Sequence, residues 1–191
     1  MGKESFLYPK GDVPVKNRDV LEKTIRDNTF NSLKALIDNT YIMQKYYRLH
    51  LSLDNMAKFR EFCTVRMCTA RRSGHTGAIV RIMYEYFERA LVLCPSKDWA
   101  LRDCKIMTEY LSGTEDIKEF TAFEIKMKND SKYIFRPLVL KNLYDNLKGY
   151  DFEAVFVDGA NFLSETQELD IYKNISINMA GNDYKFFIFI Q

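Results

Sequence analysis

Short, uninterrupted apolar runs recur in the chain from residue 90 onward. The clearest are ALVLC at 90–94, AVFV at 154–157 and FFIFI at 186–190. Strands covered by helices on both faces have this composition, because water reaches neither side of the sheet. We therefore predict strands at Ala90–Cys94, Ala154–Val157 and Lys185–Ile190, and a further short strand at Cys63–Cys68.

Apolar residues between these runs recur at steps of three and four residues, which is the spacing of one helix face. In the segment Ala78–Phe87 the apolar positions are Ile79, Ile82, Met83 and Tyr86. A second segment, Lys97–Leu111, is followed by Gly113, and glycine is typical of the residues just after a helix. Both segments are predicted to be helices that pack on the sheet.

The N-terminal part is predicted to be an arm followed by helices. Met1–Asn17 contains Pro9, Gly11 and Pro14 and is expected to be extended. The spacing of Leu21, Ile25, Leu33, Leu36 and Ile37 predicts one or two helices between Asp19 and about Asp38. Two more helices are predicted at Tyr41–Leu51 and Asn55–Phe62.

A pair of antiparallel strands is predicted between the helix Lys97–Leu111 and the apolar run at 154–157. Phe120–Met127 alternates apolar and polar residues, Asn129-Asp130 has turn composition, and Lys132–Leu138 is again typical of a strand. Pro137 marks an edge or an end, because proline cannot donate a hydrogen bond to a neighbouring strand. We predict a β-hairpin here.

The order of these elements predicts an α/β fold with a mostly parallel sheet. Strands alternate with helices, and such helices cross over between neighbouring parallel strands in a three-layer core. At 191 residues the chain is long enough for one such domain with a helical extension. We expect residues 1–52 to form the N-terminal arm and helices, and residues 53–191 to form the core.

Composition and charge exclude several kinds of function for this chain. The formal net charge is +2, so a strongly basic coat for nucleic acid is not expected, although local basic clusters can contact phosphates. The four cysteines lack the closely paired spacing of a zinc site and are expected to be reduced thiols. No apolar run approaches the roughly 20 residues that cross a bilayer. We expect a soluble, cytoplasmic protein without a membrane partner.

The segment CTVRMCTARRSGHTGAIVRIMYEYFE at 63–88 has the layout of a phosphate-binding loop. A strand leads through a short polar turn with glycine into a helix, whose free N–H groups and positive dipole end favour a bound anion. The candidate binding residues are Arg71, Arg72, Ser73, Gly74, His75, Thr76 and Gly77. The lysine that usually belongs to such a loop is missing.

Asp158 is the second element of the candidate site. It directly follows the buried run AVFV, so it lies at the carboxyl end of a strand. A carboxylate in that position can hold Mg²⁺ against the phosphates bound by the loop. The hydroxyl of Thr76 is in the place of a second metal ligand. An aspartate after a strand is also a common turn residue, and an Arg-Arg pair is commonly a solvated surface feature.

The order of the motifs resembles a known family. TARRSGHT, then VLCPSKDWALRDCK, then the predicted hairpin and NLKGYDFEAVFVDGANF are similar to the ATPase core of viral terminase large subunits and of related superfamily 2 helicases. The resemblance covers about Gln44–Gln191 in order and spacing. It implies a P-loop NTPase-like core that binds ATP and Mg²⁺.

Several positions match the family motif and others depart from it. Gly74 and Thr76 match the loop glycine and hydroxyl, while His75 stands in the place of the lysine. Arg71 matches the arginine that begins the terminase loop. The resemblance implies that Arg71 or Arg72 supplies part of the missing charge, since a guanidinium can bind phosphate through two hydrogen bonds.

The acidic motif also departs from the family. Asp158 matches the acid that binds magnesium, but Gly159 replaces the glutamate that activates the attacking water. Glu165 is the nearest downstream carboxylate and is a weak catalytic candidate. Gln44 resembles the adenine-reading glutamine upstream of the core, also weakly.

The resemblance implies a viral motor that acts on DNA, either a packaging terminase or a helicase-like enzyme. Its expected partners are DNA, other subunits of a packaging or DNA-processing assembly and other copies of the same chain, in the host cytoplasm. The alternative is a degenerate, non-hydrolysing P-loop module that binds or regulates such an assembly, which the departures at His75 and Gly159 favour. A fragment of a longer motor is a third interpretation.

Overall fold

The computed structural model describes residues 15–47, 55–69, 73–114, 116–139, 147–179 and 184–191. Its strands are β1 Thr64–Met67, β2 Arg89–Cys94, β3 Ile117–Phe120, β4 Glu124–Met127, β5 Lys132–Pro137, β6 Ala154–Asp158 and β7 Phe186–Ile190. Its α-helices are α1 Val15–Tyr47, α2 Asn55–Phe62, α3 His75–Tyr86, α4 Lys97–Leu111 and α5 Glu165–Ile175. Two short 3-10 helices, Ala160–Phe162 and Ser176–Met179, flank α5.

All seven strands belong to one sheet, in the order β1-β7-β6-β2-β5-β4-β3. The neighbours from β1 to β5 run parallel, whereas β4 pairs antiparallel with both β5 and β3. Parallel neighbours require crossover connections, and α3, α4 and α5 lie in those connections. The fold is therefore the predicted α/β fold with a mostly parallel sheet, which is consistent with the expected P-loop NTPase-like core.

The sheet separates two hydrophobic clusters, which makes the core three layers thick. Along β7, Phe186, Ile188 and Ile190 face one cluster, while Phe187 and Phe189 face the other. Successive side chains of a strand point to opposite faces, so an uninterrupted apolar run fills both clusters. Helices α1, α3 and α4 cover the first face, and α2 and α5 cover the second.

The N-terminal helical region is one helix of 33 residues, Val15–Tyr47. The predicted break between Asp38 and Tyr41 is wrong. The buried stripe of α1 consists of Phe30, Leu33, Ile37 and Gln44, and it continues at helical spacing beyond Asp38. A polar residue continues the stripe, so the apolar pattern ends before the helix does.

The amphipathic pattern of α1 was assigned correctly only in part. Leu33 and Ile37 are buried, but Leu21, Ile25 and Leu36 are exposed. The buried residues of α1 join the same cluster as the sheet, so this helix packs directly on the core. The proposed division between residues 52 and 53 stays a prediction, because residues 48–54 and the arm before Val15 lie outside the described part of the chain.

The predicted hairpin is a three-stranded antiparallel meander. The predicted strand Phe120–Met127 is interrupted, because the side-chain oxygen of Thr121 accepts hydrogen bonds from the backbone N–H groups of Phe123 and Glu124, at 3.3 and 3.1 Å. This local turn separates β3 from β4. Pro137 ends β5 and does not mark an edge, since β5 lies between β2 and β4.

Three of the four cysteines, Cys63, Cys94 and Cys104, are buried, Cys68 is exposed, and all four are free thiols. Among the described helices none is both long enough and apolar enough to span a membrane.

Two leucines of α1 test how this helix packs. Leu33 is 0% exposed and Leu36 is 36% exposed. We expect Leu33→Ala to lower the free energy of unfolding by ~2–5 kcal/mol, because it leaves a cavity beneath α1. Leu36→Ala, the matched control, should change it by less than ~1 kcal/mol. Urea denaturation followed by circular dichroism measures both, and equal losses would show that α1 does not pack as described.

Candidate functional site

The carboxyl ends of three adjacent parallel strands bring the loop after β1 and the end of β6 to one edge of the sheet. Met67 at the end of β1 is in register with Ile190 of β7, which is in register with Asp158 of β6. The pairing continues past the strands, because the backbone N–H of Thr69 donates to the carbonyl of Gln191 at 2.8 Å. The two parts of the predicted site are therefore separated by one strand.

Helix α3 begins without a side-chain cap. Gly74, the residue before it, has a left-handed backbone with φ 78°. This left-handed conformation favours glycine, and a β-carbon here would lie 2.6 Å from Cγ of Arg26, so a larger residue would also have to displace that side chain. The N–H groups of the first turn of α3 have no acceptor within the helix. This helix end can bind an anion in the way that the sequence predicts.

Helix α1 fixes the loop from behind. The hydroxyl of Thr29 donates a hydrogen bond of 2.9 Å to the carbonyl of Ser73. Ser73 is buried, and its own hydroxyl has no hydrogen-bond partner among the described residues. A buried hydroxyl without a partner is costly, so this group is available to a ligand or to water.

His75 reaches back from α3 to Asp158. Its Nε2 lies 3.2 Å from Oδ1 of Asp158, whose side chain is 0% exposed. Neither oxygen of Asp158 accepts a well-aligned hydrogen bond among the described residues. The nearby Asp158 carboxylate raises the pKa of His75 more than burial lowers it. Burial alone would raise the pKa of Asp158, but the proximity and charge of His75 hold that pKa below its usual value. When His75 is protonated, the two side chains form an ion pair with a buried acid.

Arg102 and Asp103 on α4 complete this cluster, and the sequence analysis did not single them out. The Nε and Nη2 atoms of Arg102 lie 2.9 and 2.8 Å from Oδ1 of Asp103. Nη2 also lies 3.8 Å from Oδ2 of Asp158. The guanidinium carbon is 4.8 Å from the centre of the Trp99 ring. Arg102 therefore lies against both carboxylates and one aromatic face.

Asp103 is a buried carboxylate on an otherwise apolar face of α4. Asp103 is 1% exposed, and burial together with repulsion from Asp158 raises its pKa to about 6. The Cys94 thiol donates to its Oδ2 at 3.4 Å. One sequence signal could have identified it: Asp103 lies on the apolar stripe of α4 that contains Ala100, Cys104, Met107 and Leu111. A carboxylate on a buried helix face needs a partner.

Gly159 is required by the backbone. Its φ is 77°, and a β-carbon there would lie 2.8 Å from Cγ of Pro95 and 3.4 Å from the rings of Trp99 and Phe162. A glutamate in this position would be strained by its backbone angle and by the proline ring. The turn after β6 therefore requires glycine at position 159, where the family motif has glutamate.

Other predicted site residues differ in where the structure places them. Thr76 and Gly77 lie in the first turn of α3, beside His75. Glu165 begins α5 and pairs with Arg60 at 3.5 Å, and no contact with Asp158 is found among the described residues. Arg71 and Arg72 lie outside the described residues.

Gln44 is not brought to the loop. Its side-chain amide donates to the carbonyl of Lys185 at 2.7 Å and accepts from the N–H of the same residue at 3.0 Å. Lys185 precedes β7, so this contact is at the amino end of the strand, roughly 16 Å of strand length from the site. The amide of Gln44 thus pairs with backbone.

The residues present do not fit Mg²⁺ in this arrangement. Carboxylate and hydroxyl oxygens are the ligands that Mg²⁺ prefers, and Asp158 and Thr76 could supply one of each. However, His75 and Arg102 lie against the two oxygens of Asp158, and the carboxylate is covered. Among the described residues no group of three histidine, cysteine or acidic side chains is arranged to hold a metal.

Two glycines test the turn after β6. We expect Gly159→Ala to lower the free energy of unfolding by ~1–3 kcal/mol, because the left-handed backbone and Pro95 oppose a β-carbon. Gly77, in α3, has open space around it, so Gly77→Ala should be neutral or stabilise by up to ~1 kcal/mol. Thermal and urea unfolding compare the two, and a neutral Gly159→Ala would contradict the described turn.

The ion pair predicts how His75 titrates. Nuclear magnetic resonance of the imidazole should give a pKa above the ordinary 6.5, and Asp158→Asn should lower it. Because folding raises this pKa, the stabilisation is complete below pH 6.5 and is lost as pH rises through the folded value. His50→Gln assigns the signals. An unshifted pKa in the wild type, or no response to Asp158→Asn, would argue against the pair.

Comparison with known proteins gives a limited result. No protein-family model and no curated protein sequence matches the chain. Among solved structures the chain is similar to the large terminase ATPase domain of Thermus phage P74-26, both in its unmodified form and as a point variant. In each case 15% of residues are identical, the TM-score is 0.48, and the match covers 77% of this chain and 68% of the phage domain.

Proposed function

We propose that this chain is the ATP-binding domain of a terminase-like or helicase-like motor that acts on DNA in viral packaging. The observation that supports this most is the shared sheet edge. The uncapped start of α3, with the left-handed Gly74 before it, follows β1. The carboxylate of Asp158 is at the end of β6, and only β7 lies between β1 and β6. The motif order of the sequence supports the same proposal independently.

The polyphosphate of ATP would bind at the first turn of α3. The N–H groups of this turn and the buried hydroxyl of Ser73 are the donors that the fold offers to it. In the proposal, Arg71 or Arg72 supplies the charge that a lysine usually provides. The imidazole of His75 does not, because it is directed at Asp158.

A second candidate function is a nucleotide-binding module that does not hydrolyse ATP. Two observations favour it: His75 and Arg102 hold Asp158, and Gly159 leaves no room for a glutamate. Such a module would bind or regulate a DNA-processing assembly and would respond to ATP by binding alone. DNA, partner subunits and self-assembly belong to both candidates as proposals.

Calorimetry with ATP, with and without Mg²⁺, tests the shared part of the proposal. We expect measurable binding, which the double variant Arg71→Ala/Arg72→Ala weakens by about 10- to 100-fold, since a charge-assisted hydrogen bond contributes roughly 1.5–3 kcal/mol. Lys105→Ala is the control, because Lys105 is an exposed cation on α4 whose side chain is 77% exposed. If the wild type does not bind ATP, or if both variants weaken binding equally, the proposed site is wrong.

The same proteins distinguish the two candidates in a phosphate-release assay with duplex DNA. Steady release that Asp158→Asn abolishes supports the motor. Absence of release from a folded protein that binds ATP supports the non-hydrolysing module.

A further inference from the structure

Two cavities lie at the amino-terminal edge of the sheet, opposite the candidate nucleotide site. Their volumes are about 590 and 650 Å³, which is the usual size range of ligand pockets. They are neighbours, because Tyr86, Phe87 and Glu88 line both. These three residues connect α3 to β2. We refer to the two cavities together as the amino-edge groove.

Aromatic rings form much of the wall of this groove. In the first cavity the rings of Tyr41 and Tyr184 are 4.4 Å apart, and Tyr86 also lines it. In the second, Tyr84 is exposed at the surface and Tyr133 lies at the base. Exposed tyrosine faces are preferred neighbours of ammonium and guanidinium groups.

Carboxylates complete the walls. Asp38, Glu88 and Glu153 line the first cavity, and Glu85, Glu88 and Asp116 line the second. Lys128 is the one cationic side chain among the described lining residues. Glu88, at the junction, is exposed and has no ion pair within the described part of the chain. Three of these carboxylates pair with cations of the protein itself, Asp38 with Lys34, Glu85 with Arg81 and Glu153 with Arg89. The acidic charge left for a ligand is that of Glu88 and Asp116, which have no ion pair among the described residues, and it lies beside the tyrosine rings.

The protein already holds one of its own cations in this way. The Nζ of Lys34 lies 2.7 Å from Oδ2 of Asp38 and 5.4 Å from the centre of the Tyr86 ring. Both partners line the first cavity. This contact shows that a carboxylate and a tyrosine ring can bind an ammonium group together at the rim of the groove, beside Glu88, which has no cation of its own among the described residues.

We propose that the amino-edge groove binds an extended, lysine- or arginine-rich segment of a partner protein. Two linked cavities suit two cationic side chains of one segment better than a single small cation, and Glu88 lies between them. The groove is separated from the candidate nucleotide site by the length of the parallel strands, roughly 16 Å. Binding there does not depend on whether ATP binds.

Fluorescence anisotropy with a labelled twelve-residue peptide of alternating arginine and glycine tests the proposal. We expect saturable binding, and Glu88→Lys should weaken it by about tenfold or more, since attraction is replaced by repulsion. Glu61→Lys is the matched control, because it makes the same charge change on α2, and Glu61 is not among the residues that line the groove. It should leave the affinity within about twofold.

Variants of Tyr41 test whether the aromatic ring contributes to peptide binding in addition to the charge of the groove. Tyr41→Ala should weaken the arginine peptide several-fold, whereas Tyr41→Phe should retain its affinity because the ring remains. A peptide with glutamate in place of arginine should not bind. The proposal is overturned by absence of binding, by equal losses in Glu88→Lys and Glu61→Lys, or by self-association of the protein through this face in sedimentation. The peptide should bind with the same affinity in the presence and absence of ATP, which keeps this test independent of the nucleotide proposal.

Discussion

Burial of the Asp158 carboxylate is the constraint on which the candidate site depends. Removing a charge from water costs several kcal/mol, so a buried carboxylate is retained only with partners. The nearest cationic groups are His75 from α3 and Arg102 from α4, at 3.2 and 3.8 Å, although neither makes a well-aligned hydrogen bond to it. Because these groups come from different helices, the carboxylate links the start of α3 and the second turn of α4 to the end of β6.

This link explains why the departures from the usual nucleotide-binding motif occur together. A lysine on a P-loop is directed at bound phosphate, whereas His75 is directed at the acid on β6. Gly159 follows that acid in a conformation that excludes a larger side chain. The histidine thus lies against the acid that serves the metal in the usual motif, while the helix start at Gly74 keeps its geometry for an anion. For this reason we separate nucleotide binding from hydrolysis in the proposed function.

The parallel sheet gives the molecule two chemically different edges. At the carboxyl ends of the strands, helix starts and arginine favour anions. At the amino ends, the carboxylates and tyrosines around Glu88 favour cations. The polarity of a parallel sheet makes this possible, because all of its helices begin at one edge and end at the other. Two ligands of opposite charge could therefore bind independently.

Much of the fold could be predicted from local sequence, because short apolar runs favour buried strands and apolar residues at steps of three and four favour helices. The bounds of α2 and α4 were predicted as observed, and the strand ending at Asp158 was placed correctly. The elements at the candidate site, namely the loop glycine and the acid after a buried strand, were recognisable for the same reason. They lie at element boundaries, where residue type and local structure are tightly linked.

Only the tertiary structure decided how the charged groups pair. The continuation of α1 past Asp38 depends on Gln44, whose partner is 141 residues away in the chain. The spacing of α4 marks Asp103 as buried, but the pairing of Arg102 with Asp103 and Asp158 depends on how α4 packs on the sheet, which local sequence does not reveal. Charge pairing acts over a few ångströms in space without regard to sequence distance. The sequence therefore determined at which strand and helix ends the candidate residues lie, and the packing of α3 and α4 decided that His75 faces an acid.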